Sequence, residues 1–137
     1  MTIPASYSQL AKQLSLQHGF DHCGIAKAQP LDEDAQRLEK WLQGGMHGSM
    51  KYMENHFEMR VDPTKLVPGA KSVITLLKNY FPSETPTASS GISKYAYGKD
   101  YHQVIKASLS QMMTGLQEKI GSFHGRGFVD SAPVLER

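Results

Sequence analysis

The longest regular pattern in this chain is a stretch of twenty residues, Tyr101–Ile120, in which apolar residues return at helical spacing. Asp100 precedes the stretch and can cap a helix, while Gly121 and Gly125 follow it and favour an end. A long helix with one apolar side must bury that side against another layer. The residues on this side are Val104, Ile105, Leu109, Met112, Met113, Leu116 and Ile120.

Shorter patterns on either side alternate between helix and strand. Further helices are predicted at residues 6–18, from Pro30 to residue 45 and at 46–53, and strands at 20–26, 72–80, 92–97 and 127–129. Residues 73–77 are almost continuously apolar, which is typical of a strand covered on both faces. Residues 57–68 and 82–90 are polar and proline-containing, and the latter stretch predicts a loop. We therefore expect an α/β (α+β) domain with a mixed sheet flanked by helices, completed by residues that this sequence does not contain.

Composition excludes several classes of protein. The chain has 137 residues, a net charge of +2 and scattered Lys and Arg, so no concentrated basic patch indicates nucleic-acid binding. Its single cysteine, Cys23, excludes an internal disulfide and a self-contained thiolate cluster. The six histidines show no spacing typical of a protein zinc site, so no metal ligands are predicted. The sequence shows neither a membrane span nor a signal peptide, which favours a cytoplasmic location.

Residues 95–102 (YAYGKDYH) combine three tyrosines with Asp100 and His102 around one glycine. One reading is a helix cap with aromatic packing, because Asp100 stands directly before the long helix. The other is a wall of a cofactor or substrate site, in which Tyr and His supply hydrogen bonds and stacking surface. The glycine spacing of a phosphate-binding loop is absent.

Two further residues are candidates for function. Arg60 offers a planar fork of donors for carboxamide, carboxylate or phosphate oxygens, although a surface ion pair with Glu58 or Asp62 is the simpler reading. Asp130 follows the predicted strand at 127–129, which would hold its carboxylate rigidly at a sheet edge. It could be a proton donor if its surroundings raise its pKa, or it could cap the next segment or pair with Arg137.

Several segments occur together in an order that resembles epoxyqueuosine reductase, the cobalamin-dependent iron–sulfur enzyme of queuosine biosynthesis. They cover nearly the whole chain. The segments are residues 19–26 (GFDHCGIA), Trp41 with 48–53 (GSMKYM), 60–63 (RVDP), 66–73 (LVPGAKSV), 95–102, and the stretch that begins with Val129-Asp130 and ends with Glu136-Arg137. The ordered set carries the resemblance, because no single segment is decisive.

The resemblance implies a role for each matched residue. Asp130 falls on the catalytic proton donor, which also lies at the cofactor, and Arg60, Ser93 and Arg137 fall on positions that contact cobalamin. Asp100, Tyr101 and His102 would belong to the wall near the substrate and the corrin. The implied reaction removes the epoxide oxygen of epoxyqueuosine in tRNA: reduced cobalamin supplies electrons or attacks carbon, and Asp130 protonates the departing oxygen.

Residues 1–137 would then be the N-terminal part of a cobalamin-binding reductase domain. The resemblance implies that the iron–sulfur region with its [4Fe-4S] clusters, and a C-terminal region that helps to hold tRNA, belong to the full-length parent only. We expect the 137 residues alone to be inactive, and an incomplete sheet edge to favour self-association. Two alternatives remain: a corrinoid-dependent reductase of a small molecule, and a non-catalytic binding domain of the same fold.

Overall fold

The computed structural model describes residues 6–81, 83, 91–130 and 132–135. Its elements follow in the order α1 (Tyr7–Gln17), β1 (His22–Lys27), α2 (Asp32–Gln43), a 3-10 helix (Lys51–Glu54), α3 (Phe57–Val61), α4 (Pro63–Leu66), β2 (Ser72–Leu77), a second 3-10 helix (Lys94–Ala96) and α5 (Tyr101–Ile120). Within these ranges the sheet has two strands, β1 and β2, which pair antiparallel. The predicted α/β (α+β) class is confirmed.

The chain divides into two compact units. The first unit comprises Met1–Ile25, Ile74–Phe123 and Gly127–Val129, and the second comprises Ala26–Val73, His124–Arg126 and Asp130–Arg137.

The first unit is built around the packing of α1 against α5. Ser6 caps α1 by accepting a hydrogen bond from the backbone N–H of Gln9, and Asp100 caps α5 in the same way through His102. The bounds of α5 are those that the sequence predicted, because a capping carboxylate and a terminal glycine frame the apolar period. The buried core that results consists of Leu10, Ala11, Leu14, Phe20, Met112 and Leu116.

The two strands approach each other closely at one point in the first unit. A Cβ atom on Gly24 would lie 2.7 Å from Thr75 Oγ1, which is closer than van der Waals contact. Any residue other than glycine at this position would therefore require a neighbouring atom to move. Nearby, the backbone N–H of Asp21 donates to the carbonyl of Leu77 at 2.8 Å.

The second unit contains α2, the first 3-10 helix, α3 and α4. The backbone N–H of Leu31 donates to the carbonyl of Val61 at 2.8 Å, which joins the start of α2 to the end of α3. Asp62 caps α4 by accepting from the hydroxyl and the backbone N–H of Thr64, at 2.6 and 2.9 Å. The hydroxyl of Thr64 is the main reason that the pKa of Asp62 lies below its ordinary value, and burial of the carboxylate opposes it.

Four predictions of the fold are wrong. The helix predicted at residues 46–53 is replaced by turns that lead into the 3-10 helix Lys51–Glu54. Residues 92–97 contain a 3-10 helix, Lys94–Ala96, in place of a strand, and residues 121–129 have no regular secondary structure. The strand β2 is not covered on both faces, because Ile74 is 38% and Leu77 is 63% exposed. The predicted loop at 82–90 lies outside the described residues except for residue 83.

Candidate functional site

In the first unit, Asp100, Tyr101 and His102 form one hydrogen-bonded group at the start of α5. Asp100 Oδ1 lies 3.0 Å from both the backbone nitrogen and the ring Nδ1 of His102. The hydrogen bond with the His102 side chain is the main reason that the pKa of Asp100 is below its ordinary value. The ring of Tyr101 stacks on that of His102 with centroids 4.1 Å apart. The predicted cap is therefore confirmed, and it also orients the imidazole.

An exposed aromatic surface extends from this group toward the end of β2. Tyr95 contacts Tyr101 edge to face at 5.9 Å and contacts Tyr80 in the same manner at 6.3 Å. Tyr95 lies in the second 3-10 helix, Lys94–Ala96, and Ser93, which directly precedes that helix, is exposed. Lys94 places its Nζ 3.9 Å from the centre of the Phe81 ring, an attractive cation–π geometry. Such a surface can stack on a planar ligand and offer it hydrogen bonds.

Arg60 lies in the second unit, in the last turn of α3. Its Nε donates to the carbonyl of Asn55 at 3.0 Å and its Nη2 to the carbonyl of Tyr52 at 3.4 Å. The predicted ion pair with Glu58 or Asp62 is wrong for Arg60, because Glu58 pairs with Lys65 and Asp62 caps α4. Two backbone carbonyls thus hold the guanidinium, and they leave its positive charge without a carboxylate partner among the described residues.

Asp130 also belongs to the second unit, and its backbone is unusual. Its φ angle is 52°, in the left-handed region that residues other than glycine seldom adopt, although Asp tolerates it better than most. The carbonyl of Asp130 accepts from the backbone N–H of Ala132 at 2.6 Å, so the chain turns sharply here. Val129 before it is buried and Asp130 is exposed. A tight turn, and not a strand end as predicted, presents the carboxylate.

The structure brings together some predicted residues and leaves others apart. Asp100, Tyr101 and His102 are in direct contact, and Ser93 lies close to them in the chain. Arg60 and Asp130 belong to the other unit, and Arg137 lies outside the described residues.

Sequence reasoning missed His47. Its side chain is buried, its Nε2 lies 2.7 Å from Glu54 Oε1, and its ring contacts Trp41 with centroids 5.7 Å apart. No helical or strand period links positions 41, 47 and 54, because turns at residues 44–49 bring them together. The family resemblance had matched Trp41 and residues 48–53 but carried no role for the histidine between them.

No group of His, Cys, Asp and Glu side chains within residues 6–81, 83, 91–130 and 132–135 is arranged to hold a metal ion. Over the same ranges, no helix combines the length and hydropathy needed to cross a bilayer.

Comparison with known proteins gives a family. The model of the family described as epoxyqueuosine reductase QueG, DUF1730 matches residues 60–131, which is more than half of the chain. This chain belongs to that family. The matched range includes Arg60, Ser93, Asp130 and the group from Asp100 to His102, while Arg137 lies beyond it.

Curated relatives carry the same name. The chain is 51% identical over 140 residues to the epoxyqueuosine reductase of Cyclobacterium marinum, covering 100% of this chain and 45% of the relative. It is 54% identical over 132 residues to that of Leadbetterella byssophila (96% and 44%) and 37% identical over 147 residues to that of Escherichia coli (100% and 38%). The chain thus spans less than half the length of these relatives. No solved structure matches it significantly.

Proposed function

We propose that this chain forms the N-terminal part of an epoxyqueuosine reductase, an oxidoreductase that converts epoxyqueuosine to queuosine in tRNA with bound cobalamin. The observation that carries the proposal is the family match over residues 60–131, because it spans six of the seven residues to which the sequence resemblance gave a role. The relatives that share the name are similar along the whole of this chain. We further propose a cytoplasmic location for the reaction.

The residues of the chain fit a corrinoid chemically. A corrin carries amide side chains and a phosphate-containing loop, so it presents many oxygen acceptors to donors such as a guanidinium. Arginine has five N–H donors, and Arg60 engages two with backbone carbonyls, which leaves three for a ligand. The exposed hydroxyl of Ser93 is a further donor of the right kind. We propose that Arg60, Ser93, Asp130 and Arg137 contact the cofactor, and that Asp100, Tyr101 and His102 line the substrate pocket.

When bound, cobalamin would supply the reducing chemistry that acts on the epoxide carbon. Asp130 would deliver a proton to the oxygen that leaves. Its left-handed backbone supports this role, because strained conformations of non-glycine residues concentrate at functional sites, where the surrounding structure maintains them. The hydrogen bond between Asp100 and His102 would hold the imidazole in one orientation toward the substrate.

The [4Fe-4S] clusters and most of the tRNA contacts would belong to residues outside this sequence. A four-iron cluster is held by four cysteine thiolates, and this chain has one cysteine. We therefore expect the 137 residues to require the remainder of a full-length reductase for turnover.

A chimera tests the proposal. This chain would replace the matching segment of the Cyclobacterium marinum relative, and the purified protein would be assayed for conversion of epoxyqueuosine to queuosine in tRNA. The proposal predicts turnover by the chimera, and loss of turnover with Asp130→Asn while the protein stays folded. A folded chimera without activity, beside an active relative, would contradict it. So would an Asp130→Asn chimera that remains fully active.

A further inference from the structure

His47 and Glu54 close a loop in the second unit. The Nε2 atom of His47 lies 2.7 Å from Glu54 Oε1, and the imidazole is 8% exposed. Its other nitrogen, Nδ1, is buried and has no hydrogen-bond partner among the described residues. A buried polar atom without a partner costs free energy, so the ring must be held in this position by its other contacts. Trp41 packs against the ring and limits its movement.

The backbone within this loop is hydrogen-bonded to itself. The N–H of Met50 donates to the carbonyl of His47 at 2.9 Å, and the N–H of Asn55 donates to that of Tyr52 at 3.2 Å. Glu54 is the last residue of the 3-10 helix, so its bond to His47 joins the two ends of the loop. The side-chain bond thus adds a restraint at the point where the 3-10 helix ends.

Arg60 depends on the residues that flank Glu54. Its Nε and Nη2 donate to the carbonyls of Asn55 and Tyr52, which lie directly after and two positions before Glu54. The orientation of the guanidinium is therefore set by backbone that the His47–Glu54 bond restrains. The same bond engages the Glu54 carboxylate, which forms no ion pair with Arg60.

We propose that His47 is a positioning residue for Arg60: through Glu54 it fixes the carbonyls of Tyr52 and Asn55, so that the guanidinium is held ready for ligand oxygens. The geometric part concerns this chain alone. The part that concerns the ligand, a corrinoid, rests on the proposed function.

The geometric part is tested by hydrogen exchange of the Arg60 Nε–H, followed by NMR on the 137-residue chain. With His47→Leu and with Glu54→Ala we expect exchange at least about tenfold faster, because the loop opens locally more often. With His47→Gln, whose amide can donate to Glu54, we expect exchange near that of the unchanged chain. Glu58→Ala is the matched control, since it removes an acid close to Arg60 that pairs with Lys65. Unchanged exchange in Glu54→Ala, or in a folded His47→Leu chain, would overturn the positioning role.

Glu54→Ala keeps the test decisive if His47→Leu does not fold. The Glu54 side chain is 56% exposed, so its removal leaves no cavity in the unit. A Glu54→Ala chain with native exchange at Arg60 would then by itself overturn the inference.

The ligand part is tested by a double-mutant cycle in the chimera, with cob(II)alamin as the probe and its absorbance spectrum as the readout. His47→Leu should weaken binding several-fold, and should weaken it no further when Arg60→Ala is already present. Equal losses in both backgrounds would mean that His47 acts independently of Arg60, which overturns the proposal. If the chimera does not bind the probe, the proposed function fails, and the exchange measurement still decides the role of His47.

Discussion

A single carboxylate oxygen of Asp100 contacts His102 twice, once at the backbone nitrogen and once at the ring Nδ1, with both distances 3.0 Å. The first contact begins α5 and the second fixes the ring that we assign to the substrate pocket. Both favour the ionised carboxylate, which is why the pKa of Asp100 lies below its ordinary value. Helix stability and site geometry therefore depend on one charged group.

This dependence predicts a loss of stability in acid. Because the folded-state pKa of Asp100 is lowered, its contribution is present above the unfolded-state pKa, about 3.9, and is lost as pH falls through the folded value. Asp100→Asn is the matched variant, since Asn caps helices as well but does not titrate. We expect the urea midpoint of the unchanged chain to exceed that of the variant at pH 7, and this advantage to shrink below about pH 4. An advantage of constant size down to pH 3 would contradict the conclusion that the ionised carboxylate of Asp100 stabilises the fold.

Met112 is expected to be essential to the α1–α5 core. It is 3% exposed and lies within the buried cluster, so Met112→Ala leaves a cavity and should cost about 2–5 kcal/mol in the free energy of unfolding. Gln111→Ala changes the exposed neighbouring residue and should cost less than about 0.5 kcal/mol. Urea unfolding monitored by circular dichroism measures both. Similar costs for the two variants would show that α5 does not pack as described.

The close approach of the strands predicts that Gly24→Ala destabilises the chain. The added methyl group would meet Thr75 Oγ1 at 2.7 Å, and forcing the exposed Thr75 side chain off its rotamer costs about 0.5–1.5 kcal/mol. Thr75→Ala removes the atom that clashes, so the double variant Gly24→Ala/Thr75→Ala should recover most of the loss relative to Thr75→Ala alone. Thermal and urea unfolding of the four chains measure this coupling. Purely additive effects of the two substitutions would show that the added methyl group does not clash with Thr75 Oγ1.

The turn at Asp130 predicts that stability and activity respond separately to substitution. Asparagine also tolerates the left-handed region, so Asp130→Asn should cost less free energy of unfolding than a substitution that the region excludes. A β-branched residue does not tolerate this region, so Asp130→Val should cost about 1–2 kcal/mol. In the chimera, Asp130→Asn should slow turnover by about 10²-fold or more, which is the usual contribution of a general acid.

Equal stability of the Asn and Val variants would argue against the left-handed turn. Full activity of the Asn variant would argue against the proton donor. The two results are independent, so either part of the account can fail alone.

The sequence predicted those elements whose signals are local. For α5, the apolar period, Asp100 and Gly121 lie within the helix or next to it, and the predicted bounds are those observed. Residues 92–97 show the limit of local signals. Their aromatic and aliphatic residues favour a strand, but a strand also needs a partner, and among the described residues this segment has none and forms a 3-10 helix.

The sequence identifies several residues of the candidate site, but it does not reveal the contacts that these residues make. Arg60 was identified by type and position, yet its partners are backbone carbonyls, which leave no signature in a sequence. His47 was missed for a related reason, because its contacts with Glu54 and Trp41 depend on the path of an irregular segment. Long-range contacts set by turns carry no periodic signal.

The most direct test of the central claim is a titration of cob(II)alamin into the chimera, followed by its absorbance spectrum, beside the full-length Cyclobacterium marinum relative. The account predicts a saturable spectral change for both proteins. It also predicts binding about tenfold or more weaker for the chimera with Arg60→Ala, because a hydrogen bond to a charged group contributes about 1.5–3 kcal/mol. A relative that binds beside a folded chimera that does not, or a chimera whose affinity is unaffected by Arg60→Ala, would contradict the assignment of a corrinoid site to these residues.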